Sequence, residues 1–377
     1  MIYLDSAATS FFKPKQVIDA TMEAVNKYTA NAGRGAYKVA QETSMKILDC
    51  RDKCVKLFGE EFECIFTPGC SYSLNLAILG TVKRNSHIIT TYLEHNSVLR
   101  VLEMLKINGI IDYTVLTDFS KQNIEKYIKP NTTTIITTHV SNVTGEEIDL
   151  NLFSQICKEH GLIYIVDSAQ GAGHCDADYS VADIVAFAGH KGLRSLMGVG
   201  GLMVKHHIKL KPIIFGGTGL KSKELVQPND VPEGFEVGSL NAISIISLEA
   251  GINNFLRDKK IIIEKEEELT QYLIKKLKGL KFVKCYSKIE NCKGVVAFNI
   301  SNFDSGLVAN ILSEEFDVCC RSGFHCAPLV HKYYKTENQG MIRASINSDN
   351  SVEEIDEFIS ILSKVYNKLT SQTNYLT

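Results

Sequence analysis

Five short apolar runs, each separated from the next by polar or helix-patterned chain, constrain this sequence more than any single residue does. They are HIITT (87–91), TTIITTHV (133–140), LIYIVDSA (162–169), DIVAFAG (183–189) and GLMVK (201–205). Continuous runs of this kind suit strands covered on both faces, as in a parallel sheet, rather than strands with one wet face. Helical patterns fill the gaps, among them Val98 to Lys106 and Leu152 to Glu159. The alternation predicts an α/β domain with a mainly parallel sheet. The helical stretch from Ala242 to Leu256 ends this unit, giving a large domain over 13–256. A second helix follows over Asp258 to Gly279, with Leu269, Leu273 and Leu277 recurring every four residues and Gly279 where a C-cap glycine belongs. Then come VVAFNIS (295–301) and FDVCC (316–320), read as strands. They predict a smaller C-terminal α/β domain over 257–377, which the N-terminal segment 1–12 joins.

A chain of 377 residues with 45% hydrophobic content suits two such cores. Its 41 basic and 43 acidic side chains give a net charge of −2 with no long run of one sign. That argues against a nucleic-acid footprint or a basic membrane patch. No stretch approaches the roughly 20 apolar residues that span a bilayer, and the start, MIYLDSAATSFF, does not read as a signal peptide. Eleven cysteines, an odd number, read as thiols of a reducing compartment, and the expected location is the cytoplasm.

Three places in the large domain belong together chemically. TPGCSYSLNLAILG (67–80) is a turn running into a helix, with Ser71 as a plain N-cap or as part of an anion cradle. In VDSAQ (166–170), Asp167 ends an apolar strand at the edge where open α/β folds place ligands; it is either a turn aspartate or the partner of a protonated ring nitrogen. In AFAGHKG (186–192), Lys191 follows another apolar strand and either reaches to solvent or forms a Schiff base. Lysine, carboxylate and anion cradle are together what pyridoxal phosphate requires.

With these in view, the chain resembles the class V aminotransferase superfamily, and within it the cysteine desulfurase and selenocysteine lyase family. The resemblance runs almost end to end, through YLDSAATS (3–10), NAGRGAY (31–37), EHNSV (94–98), THVSNVTG (138–145), VDSAQ, GHKG (189–192), FEVGSLN (235–241), RSGFHCAP (321–328) and IRAS (342–345). It implies a fold-type-I pyridoxal 5'-phosphate enzyme that works as a homodimer. Lys191 would bind the cofactor aldehyde, Asp167 the ring nitrogen and Gln170 the ring hydroxyl, while His95 stacks on the ring and handles a proton. Asn142 would lie beside the ring hydroxyl and the substrate carboxylate, which Arg343 grips as a fork. The phosphate would rest on the amides of Cys70 and Ser71 and the Ser71 hydroxyl, with His190 nearby and Ser239 reaching across from the second subunit. The implied reaction turns L-cysteine into L-alanine and leaves a persulfide on Cys326 for a sulfur-acceptor protein or a small thiol. L-selenocysteine is the alternative substrate. A class V transaminase or β-lyase, and a non-enzymatic thiol or metal-binding regulator, are the further alternatives.

Three positions depart from the family pattern: Ala188 where many relatives have serine, Cys70 where many have threonine, and Phe324 in place of a polar residue. Each of the first two is expected to remove or weaken one phosphate hydrogen bond, so that either the cofactor binds less tightly or neighbouring donors compensate. VCCRSGFHCAPLVH (318–331) gathers three cysteines and two histidines. Cys326 matches the nucleophile of the compact type II motif, with His325 and Arg321 expected to supply positive potential. Cys319 and Cys320 are expected to be packed or accessory thiols. A metal site with Cys326 and His331 is disfavoured because adjacent cysteines are poor ligands for one tetrahedral ion.

Overall fold

The computed structural model describes residues 1–33 and 35–374; Arg34, in the NAGRGAY motif, lies outside the described residues. The chain divides into two compact units. The larger comprises Phe12–His139 and Ile148–Lys259, and the smaller Met1–Phe11, Val140–Glu147 and Lys260–Thr377. The segment Val140–Glu147, read in the sequence as part of the large domain, thus belongs to the smaller unit.

The larger unit is built on a seven-stranded sheet. Its spatial order is Phe62–Thr67, Gly200–Lys205, Ile184–Ala188, Ile163–Asp167, Thr132–Thr138, Ser86–Thr91, Ile111–Leu116. The last five are parallel, as the continuous apolar runs imply. GLMVK differs. Gly200–Lys205 runs antiparallel to both neighbours, Ile184–Ala188 and Phe62–Thr67. Only residues 189–199 separate it from the strand before, too few for a crossover helix, so the chain must turn back. That return loop carries Lys191.

Helices Cys70–Thr81, Asn96–Ile107 and Leu150–His160 follow three of the strands. Asp149 caps the last, its carboxylate accepting from the Asn151 and Leu152 amides, and Gly161 ends it in the left-handed region. The apolar faces of the first two interlock with Ile88, Ile136, Ile165 and Ala186 of the sheet in one core.

Where the sequence suggested two helices with a domain boundary at 256/257, the structure has one, Ala242–Lys278, of 37 residues. Nothing in Leu256-Arg257-Asp258 interrupts a helix, so it continues. Its C-terminal half buries Leu269, Leu273 and Leu277 in the core of the smaller unit.

That unit holds a four-stranded antiparallel sheet in the order Arg321–Gly323, Met341–Ser345, Val295–Ile300, Val283–Cys285. The FDVCC segment is mostly not a strand. Phe316 is the last residue of helix Ser305–Phe316, Asp317 caps it with φ 53°, and only Val318–Cys319 is extended, pairing in parallel with Ile2–Tyr3.

Candidate active site in two parts

In the larger unit, every strand that carries a candidate residue ends at the same edge of the sheet. Asp167 is the last residue of Ile163–Asp167 and only 3% exposed. Its Oδ1 accepts the Ala169 amide at 2.9 Å and the Cys70 thiol at 3.4 Å. Lys191 is half-buried in the return loop. Gly251, in helix Ala242–Lys278, lets that loop approach, because a Cβ there would overlap the Leu193 carbonyl. Gln170 is buried three residues after Asp167, and His190 is half-buried beside Lys191.

The anion cradle differs in detail from its sequence reading. Ser71 is not the N-cap. Gly69 holds that position, and Ser71 sits exposed in the first turn of Cys70–Thr81, where free N–H groups and the helix dipole favour an anion. The Ser71 hydroxyl contacts the Ser97 hydroxyl at 2.7 Å, and Ser97 Oγ lies 2.8 Å from His95 Nδ1. His95 is itself an N-cap, its Nδ1 accepting the Ser97 amide at 3.0 Å, so in the neutral ring the proton sits on Nε2. Ser239 is exposed in the same unit and lines a cavity of about 390 Å³ with Tyr72, Glu236 and Asn241.

Glu94 went unremarked in the sequence although it precedes His95. It is fully buried; its Oε1 accepts the Thr91 hydroxyl at 2.6 Å and the Thr138 amide at 2.9 Å, while its Oε2 has no partner among the described residues. Burial, reinforced by Asp167, pushes its carboxyl up to about 8 against the pull of those donors. An acid directly after the apolar run HIITTYL was the signal available.

The smaller unit assembles the other candidates. Arg343, 1% exposed on Met341–Ser345, donates Nη2 to Asp5 Oδ1 at 2.7 Å and Nη1 to the Asn142 carbonyl at 3.0 Å. Its Nε has no hydrogen-bond partner among the described residues. Burial lowers the guanidinium's proton affinity and Asp5 holds it up. Asn142 Nδ2 donates to the His325 carbonyl at 2.6 Å, tying the arginine to the cysteine loop. In that loop His325 and Cys326 both lie in the left-handed region, with φ of 48° and 58°. Two successive non-glycine residues there store strain, as functional loops often do. Cys326 is half-buried and free.

His325 does not supply the positive potential expected of it. Burial and the neighbouring Arg343 hold its pKa well below the usual histidine value, so the ring is neutral, with Nε2–H donating to the Met341 carbonyl at 3.0 Å. Arg321 is exposed. Cys320 packs against the core, where burial pushes its thiol up to about 12; the Cys319 thiol is raised as well. The Phe324 ring packs tilted against His331 with centroids 4.7 Å apart, and His331 Nδ1 pairs with the Thr336 hydroxyl at 2.9 Å.

A lysine, a buried strand-end carboxylate and a helix N-terminus with a hydroxyl are the donor set that pyridoxal phosphate calls for, and the larger unit carries all three. Comparison with known proteins agrees. The aminotransferase class-V family model matches residues 2–358. The chain belongs to that family. This class-V aminotransferase family member is 32% identical to a probable cysteine desulfurase of Methanothermobacter thermautotrophicus, over 94% of this chain and 92% of that one. It is 33% identical to a probable cysteine desulfurase of Pyrococcus abyssi, over 98% and 96%. Among solved structures, the apo cysteine desulfurase of Thermococcus onnurineus NA1 superposes with a TM-score of 0.88 at 32% identity, covering 97% of this chain and 95% of that one. A cysteine desulfurase of Escherichia coli, at 23% identity and a TM-score of 0.83 over 97% and 94%, shares the fold.

Proposed function

We propose that this chain is a pyridoxal phosphate-dependent cysteine desulfurase, which takes the sulfur of L-cysteine onto Cys326 and releases L-alanine. The observation that carries this reading is the Cys326 loop. A half-buried free thiol is held on two consecutive left-handed residues, and that loop is tied through Asn142 to a buried arginine. A transaminase has no use for such a thiol.

Lys191 would hold the cofactor aldehyde, Asp167 the ring nitrogen, Gln170 the ring hydroxyl and His95 the ring face. The first amides of Cys70–Thr81, the Ser71 hydroxyl and His190 would hold the phosphate. When bound, the group supplies an electron sink that makes the substrate Cα proton removable. Arg343 pairs with the substrate carboxylate beside Asn142. Lys191 Nζ moves the Cα proton, and His95 enters with its own proton on Nε2. Cys326 Sγ then forms a bond to the substrate sulfur as the carbon–sulfur bond breaks; the carbon skeleton takes up a proton and leaves as alanine. The persulfide sulfur passes to an acceptor protein or a small thiol.

The exposed apolar stripe Ile18, Met22 and Val25 on helix Lys15–Lys27 supports a homodimer, with Ser239 serving the second subunit's phosphate. All eleven cysteines are free, which supports a reducing, cytoplasmic setting. No helix among the described residues is long and apolar enough to cross a membrane.

The test is alanine release from L-cysteine by cofactor-loaded protein, wild type beside Cys326→Ala. Alanine from the wild type alone, with a persulfide trapped on Cys326, is the expected result. Equal turnover by both would sink the thiol's role and favour a transaminase or β-lyase. Turnover of selenocysteine alone would make the protein a selenocysteine lyase. A wild type that binds no pyridoxal phosphate would end the enzyme reading in favour of a thiol regulator.

A further inference from the structure

Cys70, the first residue of helix Cys70–Thr81, turns its thiol toward Asp167. The residue is 8% exposed, and its thiol donates to Asp167 Oδ1 at 3.4 Å, the oxygen that also receives the Ala169 amide. The contact is built into the fold. Gly200, paired with Thr67 across the sheet, lets the first turn of the helix come close, because a Cβ there would lie 2.9 Å from Gly69 Cα and 3.0 Å from Cys70 N. Cys70 is therefore fixed beside the carboxylate by backbone rather than by side-chain choice.

We propose that Cys70 is a positioning residue that acts through Asp167: its thiol occupies Oδ1 and sets how much negative charge the carboxylate presents to the cofactor's ring nitrogen. The inference rests on the pyridoxal phosphate reading given above. A thiol is a weak donor, so it withdraws less charge than a hydroxyl in the same place. Burial, with Asp167 adding to it, raises the thiol's pKa well above its ordinary value, so the group stays protonated and can only donate. Lys191 also faces Cys70, and Glu94 faces Asp167. None of these three changes in the variants below.

The sign follows from electrostatics. Removing a donor from Asp167 leaves more negative charge beside the cofactor, which favours its protonated forms and moves the midpoint of its visible-absorbance titration up. A stronger donor moves it down. The experiment titrates the absorbance of bound pyridoxal phosphate in the full chain, as wild type, Cys70→Ala and Cys70→Ser, with the cofactor dissociation constant measured alongside by dialysis. The expected midpoints run alanine above wild type above serine, with alanine shifted by about 0.3–1 pH unit, the span of one ordinary hydrogen bond. If Cys70→Ala does not fold, the serine variant still carries the sign. Variants that bind the cofactor with an unmoved midpoint, or in the reverse order, overturn the proposal. A change in affinity or thermal stability with no change in midpoint does so too, because it marks a packing role alone. A wild type that takes up no cofactor overturns the cofactor reading instead, and the two failures are told apart by colour.

Discussion

Glu94 is a carboxylic acid in the wrong place to be ionised. One oxygen has two donors, but the other is buried with none, and a bare carboxylate oxygen in that setting is costly. With its pKa near 8 when folded, and near 4.5 when unfolded, the native protein keeps a proton between those values that the unfolded chain gives up. Stability therefore falls as pH rises through that window, by up to about 1.4 kcal/mol per unit, and the loss is complete above it. Glu94→Gln removes the titration while keeping an oxygen for Thr91 and Thr138. Urea unfolding at pH 5, 6, 7 and 8 should show the variant gaining on the wild type at each step. A difference that stays flat across the series would mean Glu94 is ionised in the native state.

At the scale of elements, the sheet edge depends on backbone meeting backbone. Gly200→Ala would press a Cβ against Phe187 O, Gly69 Cα and Cys70 N, none of which can rotate away. The expected cost is about 1–3 kcal/mol in denaturant unfolding, together with weaker binding of added pyridoxal phosphate. Gly109→Ala, also at a glycine but with nothing within 4 Å, should leave cofactor binding unchanged. The five apolar runs were legible because strands covered on both faces carry the same residue types throughout. Direction was not: hydrophobicity is blind to it, and only the eleven-residue span after Ala188 could have shown that GLMVK turns back. Asp167 and Lys191 were visible as charged residues ending apolar strands, whereas the Asp5–Arg343 pair was not, since its members are 338 residues apart. FDVCC misled because a left-handed Asp317 divides a helix end from a two-residue strand.

For the whole molecule, the apolar stripe on helix Lys15–Lys27 predicts association. Ultracentrifugation of the wild type should give about twice the 41.9 kDa chain mass, and Ile18→Asp with Met22→Asp should return the single-chain value. A wild type that sediments as one chain would leave that stripe unexplained and remove the second subunit's Ser239 from the phosphate site. The smaller unit is closed by segments distant in sequence: Ile2 and Tyr3 pair with Val318 and Cys319, Ala7 N donates to Ser345 Oγ, and Asp5 meets Arg343. On a ribosome adding roughly 5–20 residues per second, the first strand is made tens of seconds before the segment it pairs with. The nascent chain thus carries Ile2 and Tyr3 unpaired until Val318 and Cys319 have been made, and any chaperone that shields them must let go only then. Arg343 and Asp5 can meet only once both segments have been made, so a product cut short before Arg343 leaves Asp5 without that counter-ion.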